Sequence, residues 1–273
     1  MANTYFQFKQ FTVHHEKTAM KVTTDSCLFG AWVAEEIQKS EVRSRKSEGR
    51  SRKSDVRSML DIETGTEEVR SRNSEVRSLL DIGTGTGLLS LMIRQKNDLN
   101  IDAVEIDHDA AQQAKENVSN SKWKKSIKVW EADIRTLPLD KRYDCIISNP
   151  PFYENELQSF NSQKNIAHHS HQLKLSELLL IIKKHLLPGG FFYLLLPAKR
   201  GIEIEELVKR NDLSIENILR VRSSVQHPIF RIFVKGINPF TQEKNIDELI
   251  IYNEERKYTP AFTALLKEYY FYL

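Results

Sequence analysis

Leu79-Leu80-Asp81-Ile82 runs directly into Gly83-Thr84-Gly85-Thr86-Gly87, and this junction restricts the possible folds more than any other stretch of the chain. The apolar residues suit a buried strand. Glycines at alternate positions allow a turn whose backbone can approach a ligand closely. The apolar run from Leu88 then supplies a helix whose N-terminus faces that turn. Strand, glycine turn and helix in this order belong to a parallel sheet with helices on its faces.

The same alternation continues on both sides. Periodicity predicts strands at 79–82, 101–105, 127–131, 143–148 and 191–196, and helices at 25–38, 88–96, 109–118, 173–186 and 202–210. Asp25 or Ser26 is the expected N-cap of the first helix. Pro188-Gly189-Gly190 is the expected stop of the helix over 173–186. Strands at 215–222 and 229–235 are joined by a turn too short for a crossover, so an edge strand should be antiparallel. The expected fold is α/β, a doubly wound Rossmann-like sheet that is mostly parallel.

A chain of 273 residues, 40% of them hydrophobic, can bury a full core. No apolar run is long enough to span a bilayer, and Met1-Ala2-Asn3-Thr4 does not open a signal peptide, so a cytoplasmic protein is expected, with a monomer as its expected state. Cys27 and Cys145 each sit in apolar sequence, which fits buried thiols in a reducing compartment. A net charge of +3 is compatible with a polyanionic partner without requiring one.

From Glu41 to Ser78 the sequence repeats itself. Asp55-Val56-Arg57-Ser58-Met59-Leu60-Asp61-Ile62-Glu63-Thr64-Gly65-Thr66-Glu67 anticipates the Glu75–Gly87 segment. The first copy carries Glu63 and Glu67 where Gly83 and Gly87 stand, and a carboxylate there would repel an anionic ligand group and remove the glycine φ freedom. The second copy is therefore the functional one. Residues 40–74 are expected to be a flexible, Ser/Arg-rich insertion, 1–39 a segment covering cofactor and substrate, and 75–273 the main domain.

Successive strand ends carry the chemistry. Asp81, Gly83, Gly85 and Gly87 form the first; their spacing differs from the dinucleotide fingerprint. Glu105 ends the second strand, where a carboxylate can take both hydroxyls of a ribose. Asp133 follows the third and is placed to reach an adenine amino group. Asn149-Pro150-Pro151-Phe152-Tyr153 follows the fourth. The Asn149 side-chain oxygen and the Pro150 carbonyl can accept from an amino group, Asn149 is also expected to border the cofactor, and Phe152 or Tyr153 can stack on a base. This set points to methyl transfer from S-adenosylmethionine to an amino-type nitrogen, without metal. Ala167-His168-His169-Ser170-His171 lacks the further ligands of a zinc site and is expected in a loop near the site rim.

With these residues in place, the chain resembles the class I methyltransferases, and more narrowly the bacterial tRNA (adenine-N6)-methyltransferases acting beside the anticodon of a valine tRNA. The resemblance extends to Phe6-Gln7-Phe8-Lys9-Gln10-Phe11-Thr12-Val13, Ala19-Met20-Lys21-Val22-Thr23-Thr24-Asp25, Gly30-Ala31-Trp32, Val104-Glu105-Ile106-Asp107 and Tyr258-Thr259-Pro260. It implies that Thr23, Thr24 and Asp25 lie over the cofactor with Lys21 nearby, and that tRNA is the partner. The 41–78 insertion departs from the family pattern. Protein-glutamine methylation, rRNA or DNA amino-methylation, and a cofactor-binding RNA chaperone are the competing readings.

Overall fold

A computed structural model describes residues 3–18, 21–51, 77–150, 173–238 and 244–273, with backbone only for 41–51. An N-terminal hairpin comes first, β1 (Tyr5–Gln7) pairing antiparallel with β2 (Thr12–His14). Helix α1 (Thr24–Ser51) leads into β3 (Ser78–Ile82), α2 (Leu88–Lys96), β4 (Asn100–Glu105), α3 (His108–Ser119), β5 (Ile127–Glu131) and β6 (Tyr143–Ser148). Then come α4 (Leu175–His185), β7 (Leu186–Pro197), α5 (Gly201–Arg210), β8 (Ser214–Ser224), β9 (Ile229–Ile237), β10 (Asn245–Tyr252) and α6 (Pro260–Leu266).

Eight strands form one sheet in the order β10-β8-β9-β7-β6-β3-β4-β5. Strands β3 to β7 are mutually parallel where they pair. The antiparallel member is β9, held between β7 and β8. It is therefore an interior strand, and the outermost strand on that side, β10, is parallel to β8. A short turn requires antiparallel neighbours but does not fix which of them lies outside, and β10 covers the flank.

Two apolar layers enclose the sheet. On one face, Phe29, Trp32 and Val33 of α1 pack with Met92, Tyr193, Phe233 and Phe262. On the other, Leu178 and Ile182 of α4 and Ile204 of α5 pack on Ile146, Phe192 and Val234. Each such side chain contributes on the order of 1.5–3 kcal/mol on burial. Alpha-1 crosses α2 closely at Gly30, where an added Cβ would come within 2.9 Å of Met92 Sδ. Helix α1 thus shares one core with the sheet.

Helix α1 does not stop near residue 38. Its backbone stays helical to Ser51, so the expected loop beginning at residue 40 starts inside a helix. Arg, Lys and Glu are good helix formers, and extending a helix already anchored by its buried half is far easier than nucleating one. The rest of the insertion, including Glu63 and Glu67, lies outside the described residues. The cap also differs from expectation. Thr23 precedes the helix, and the Thr23 and Ser26 side chains exchange bonds with each other's backbone amides at 3.2 and 3.4 Å. Alpha-4 ends at His185, before Pro188-Gly189-Gly190. That triplet lies within β7, where pairing to β6 jumps from Tyr143–Leu186 to Cys145–Phe191 and Gly189 takes φ 76°. Glycine freedom here accommodates an irregular strand rather than a helix stop.

Candidate active site

Because β3, β4, β5 and β6 are parallel and in register, their carboxyl ends share one edge of the sheet. Ile82 pairs with both Val104 and Ser148, and Glu105 pairs with Glu131. The Ser148 hydroxyl also donates to the Ile82 carbonyl at 2.8 Å, tying the ends of β6 and β3 together. The turn after β3 and Asn149 after β6 are consequently neighbours by construction.

In the turn, Gly83, Gly85 and Gly87 have φ of 71°, 57° and 79°. A Cβ on Gly83 or Gly85 would meet nothing within 4 Å, so the first two glycines border open space. Gly87 instead rests against Ala114 and Val118 of α3 and precedes α2 without any side-chain cap. Asp81 lies fully buried beneath the turn, its Oδ2 accepting from the Thr84 and Ser90 hydroxyls, both at 2.7 Å. Burial pushes its carboxyl up to about 6, against the lowering effect of those hydroxyls.

Glu105 braces the other side. Its Oε2 accepts from the Gly85 amide at 2.8 Å, and its Oε1 accepts from the Ile106 and Asp107 amides at 2.9 and 3.0 Å. A carboxylate offers about four lone-pair sites, so three backbone donors leave capacity for a ligand hydroxyl. Asp133 is engaged differently. It forms a fork with Arg135, from Nε at 2.9 Å and Nη2 at 2.6 Å, so its carboxylate is committed to that guanidinium.

Asn149 contrasts with Glu105 and Asp133. Its Oδ1 is buried and, like Asp81 Oδ1 beneath the turn, accepts no hydrogen bond among the described residues, and the following Pro150 is buried as well. A buried amide oxygen left unpaired costs about 1–3 kcal/mol, a cost a ligand N–H would remove. Phe152, Tyr153 and the histidines at 168, 169 and 171 lie outside the described residues.

Of the N-terminal candidates, Asp25 at the start of α1 reaches the same edge. Asp25 Oδ2 accepts from Arg231 Nε at 2.7 Å, and Arg231 pairs with Pro197 at the carboxyl end of β7. Thr23 caps the helix, Thr24 is exposed at its start, and Lys21 Nζ donates to the His15 carbonyl at 2.9 Å.

One organising residue escaped the sequence reading. Asn117, almost fully buried on α3, donates to the His14 and Thr86 carbonyls at 2.9 Å each, and its Oδ1 accepts from the His14 amide at 3.0 Å. It pins the N-terminal hairpin to the glycine turn. The signal was a polar residue on the apolar stripe of Ala110, Ala114 and Val118, where a buried amide needs partners.

Fold and strand-end geometry together define a class I methyltransferase. Residues 51–191 match the family described as methyltransferase small domain. A tRNA1(Val) (adenine(37)-N6)-methyltransferase of Parabacteroides distasonis is 32% identical over 273 residues, covering 99% of each chain. One of the same name from Dyadobacter fermentans is 34% identical, covering 98% of each. A predicted O-methyltransferase from Agrobacterium tumefaciens superposes with a TM-score of 0.57 at 16% identity, over 70% of this chain and 89% of that one, which shows the fold alone. The chain belongs to the methyltransferase small domain family and, within it, to the family of the tRNA1(Val) (adenine(37)-N6)-methyltransferases.

S-adenosylmethionine is the cofactor of this class, and the residues fit it. The turn leaves open space at Gly83 and Gly85, α2 presents an uncapped N-terminus, and Glu105 stands at the β4 end with acceptor capacity to spare. Among the described residues no helix is long and apolar enough to cross a membrane.

Proposed function

We propose that this chain methylates N6 of an adenine in tRNA, position 37 beside the anticodon of tRNA1(Val). The observation that carries the reading is the unpaired, buried Asn149 Oδ1 at the carboxyl end of β6, in a chain about one-third identical over its full length to relatives bearing that name.

Gly83, Gly85 and the N-terminus of α2 would hold the amino-acid end of the cofactor, and Glu105 its ribose. Asp81 supports the turn from below, while Thr23, Thr24, Asp25 and Lys21 border the site from α1 and the segment before it. Asp133 serves the adenine end through its Arg135-braced loop. When bound, S-adenosylmethionine supplies an electrophilic methyl on sulfonium sulfur.

The exocyclic amine of adenine is a weak nucleophile because its lone pair is delocalised into the ring. Asn149 Oδ1 and the Pro150 carbonyl each accept one N6–H, which favours a pyramidal nitrogen with its lone pair directed at the methyl. A neutral acceptor would suit this step, since the N6 proton can pass to solvent once the methyl has left the sulfonium sulfur for the nitrogen. Phe152 and Tyr153 are assigned to stacking on the flipped base, typically about 1–3 kcal/mol per base. Positioning and electrostatic preorganisation supply the rate enhancement.

Incubation with labelled S-adenosylmethionine and total tRNA, followed by nucleoside analysis, tests the reading. N6-methyladenosine mapped to position 37 of tRNA1(Val) is expected. N2-methylguanosine, or label only in protein, would overturn the substrate assignment and leave the cofactor assignment standing.

A further inference from the structure

The N-terminal hairpin that Asn117 fastens to the glycine turn carries, at its other end, a concentration of positive charge. Three segments distant in sequence meet there. Lys9 Nζ donates to the Lys267 carbonyl at 2.6 Å, and the Lys9 amide donates to the Tyr269 carbonyl at 2.8 Å. Lys122 Nζ donates to Gln10 Oε1 at 2.7 Å, and the Phe11 and Trp123 rings meet edge to face at 5.8 Å. Lys124 and Lys125 follow on the same loop, and all five lysines are exposed.

None of the five ammonium groups has a carboxylate within ion-pair distance among the described residues; Glu268, the nearby acid, faces Lys96 at 3.4 Å. The acceptors that Lys9 and Lys122 do have are neutral, so they orient the charges without cancelling them. On the same C-terminal segment as Lys267, Tyr272 is 92% exposed. Unneutralised lysines with an exposed aromatic ring on one of their segments suit a flexible polyanion that also offers flat surfaces for stacking, which describes RNA better than a lipid headgroup layer.

We propose that Lys9, Lys122, Lys124, Lys125, Lys267 and Tyr272 form a docking surface for the RNA substrate outside the catalytic site, gripping backbone phosphates while the target base enters beside Asn149. The inference rests on the tRNA reading above. The hairpin is the physical link, since Asn117 ties its His14 end to the glycine turn while its other end carries Lys9 and Gln10.

The test is a charge-reversed variant, Lys122→Glu with Lys124→Glu and Lys125→Glu, assayed in the full-length protein for direct tRNA binding, methylation and cofactor binding. Losing about three phosphate contacts should reduce the magnitude of the slope of log K against log salt concentration by roughly 2–3. The KM for tRNA should rise at least tenfold, with turnover at saturation and cofactor affinity unchanged. Tyr272→Ala should raise KM a few-fold without altering the salt slope. Unchanged tRNA affinity and salt slope in the triple variant would overturn the surface, as would a wild-type protein that binds phosphatidylserine vesicles through these lysines while its tRNA affinity ignores them. Because binding is read separately from methylation, failure of the surface is distinct from failure of the function. A wild-type protein that binds tRNA through these lysines without methylating it would keep the surface and sink the reaction assignment.

Discussion

Glu105 and Asn149 stand on the same edge of the sheet, two strands apart, and are bonded in opposite ways. Glu105 gives its carboxylate to three backbone amides of the protein itself. Asn149 keeps its buried Oδ1 without a donor among the described residues. The first arrangement fixes a shape before any ligand arrives, at no later reorganisation cost. The second holds an unsatisfied group that becomes paired only when an N–H enters. In the proposed function, the cofactor side is a rigid frame and the substrate side an unfilled acceptor.

Breaking the frame should produce the largest effect. Glu105→Ala leaves the partly buried Gly85 amide and the amides of exposed Ile106 and Asp107 without their acceptor, bonds that water can replace only in part, and removes the proposed ribose partner. Cofactor affinity measured by calorimetry should fall by roughly a hundredfold, and the melting temperature should drop. Glu105→Gln, which keeps one acceptor oxygen, should lose less on both counts. A folded Glu105→Ala variant with wild-type affinity would remove Glu105 from the frame.

Asp81 gives the frame a pH signature. Its carboxyl ordinarily titrates at 3.8 and is pushed up to about 6 by burial. Between these values the native state holds a proton that the unfolded state has released, so stability falls as pH rises through this window. The full difference corresponds to about 3 kcal/mol at most. Denaturant unfolding from pH 4 to 6 should show this decline, and Asp81→Asn should flatten it while gaining stability at pH 7. A wild-type profile that rises through the window, with no change in the variant, would show that burial does not govern this group.

Asn117 sharpens the comparison from outside the site. Asn117→Ala frees one carbonyl of the glycine turn and two backbone groups of the hairpin. Cofactor affinity should fall about tenfold, with faster amide exchange at His14. Slowed turnover at unchanged cofactor affinity would place Asn117 on the substrate side instead. The smallest effect is expected from deleting residues 52–74, which contain the copy with Glu63 and Glu67. Cofactor affinity should stay within about twofold of wild type, and a large loss would mean that the first copy has a binding role.

The parallel half of the sheet was legible because each strand is an apolar run that ends in a recognisable polar or glycine signal. Tyr143–Ser148 before Asn149 and Ile127–Glu131 match their predicted limits residue for residue. Elements whose stability comes from distant partners were not legible. The hairpin strands have three residues each and depend on Tyr270 and Trp123 for their apolar cover. In β10, Asp247 and Glu248 interrupt the pattern, and their partners Asn217 and Arg222 lie on β8, far away in sequence. Helix α6 is announced only by Thr259, which caps it, and Pro260 in its first turn. At the site, sequence indicated which residues stand at the strand ends but not how each is bonded. The Asp133–Arg135 fork and the Thr23–Ser26 cap are short-range geometry that a pattern of residue types does not specify.

In the proposed function Asn149 acts on the reaction far more than on cofactor binding, and one variant tests this directly. Single-turnover methylation of tRNA by Asn149→Ala should slow by a hundredfold or more, of the order seen when one preorganised polar contact to a transition state is removed. Its S-adenosylmethionine affinity, measured on the same sample, should stay within about threefold of wild type. A variant that methylates tRNA at the wild-type rate, or one that loses cofactor affinity in proportion to rate, would contradict the account.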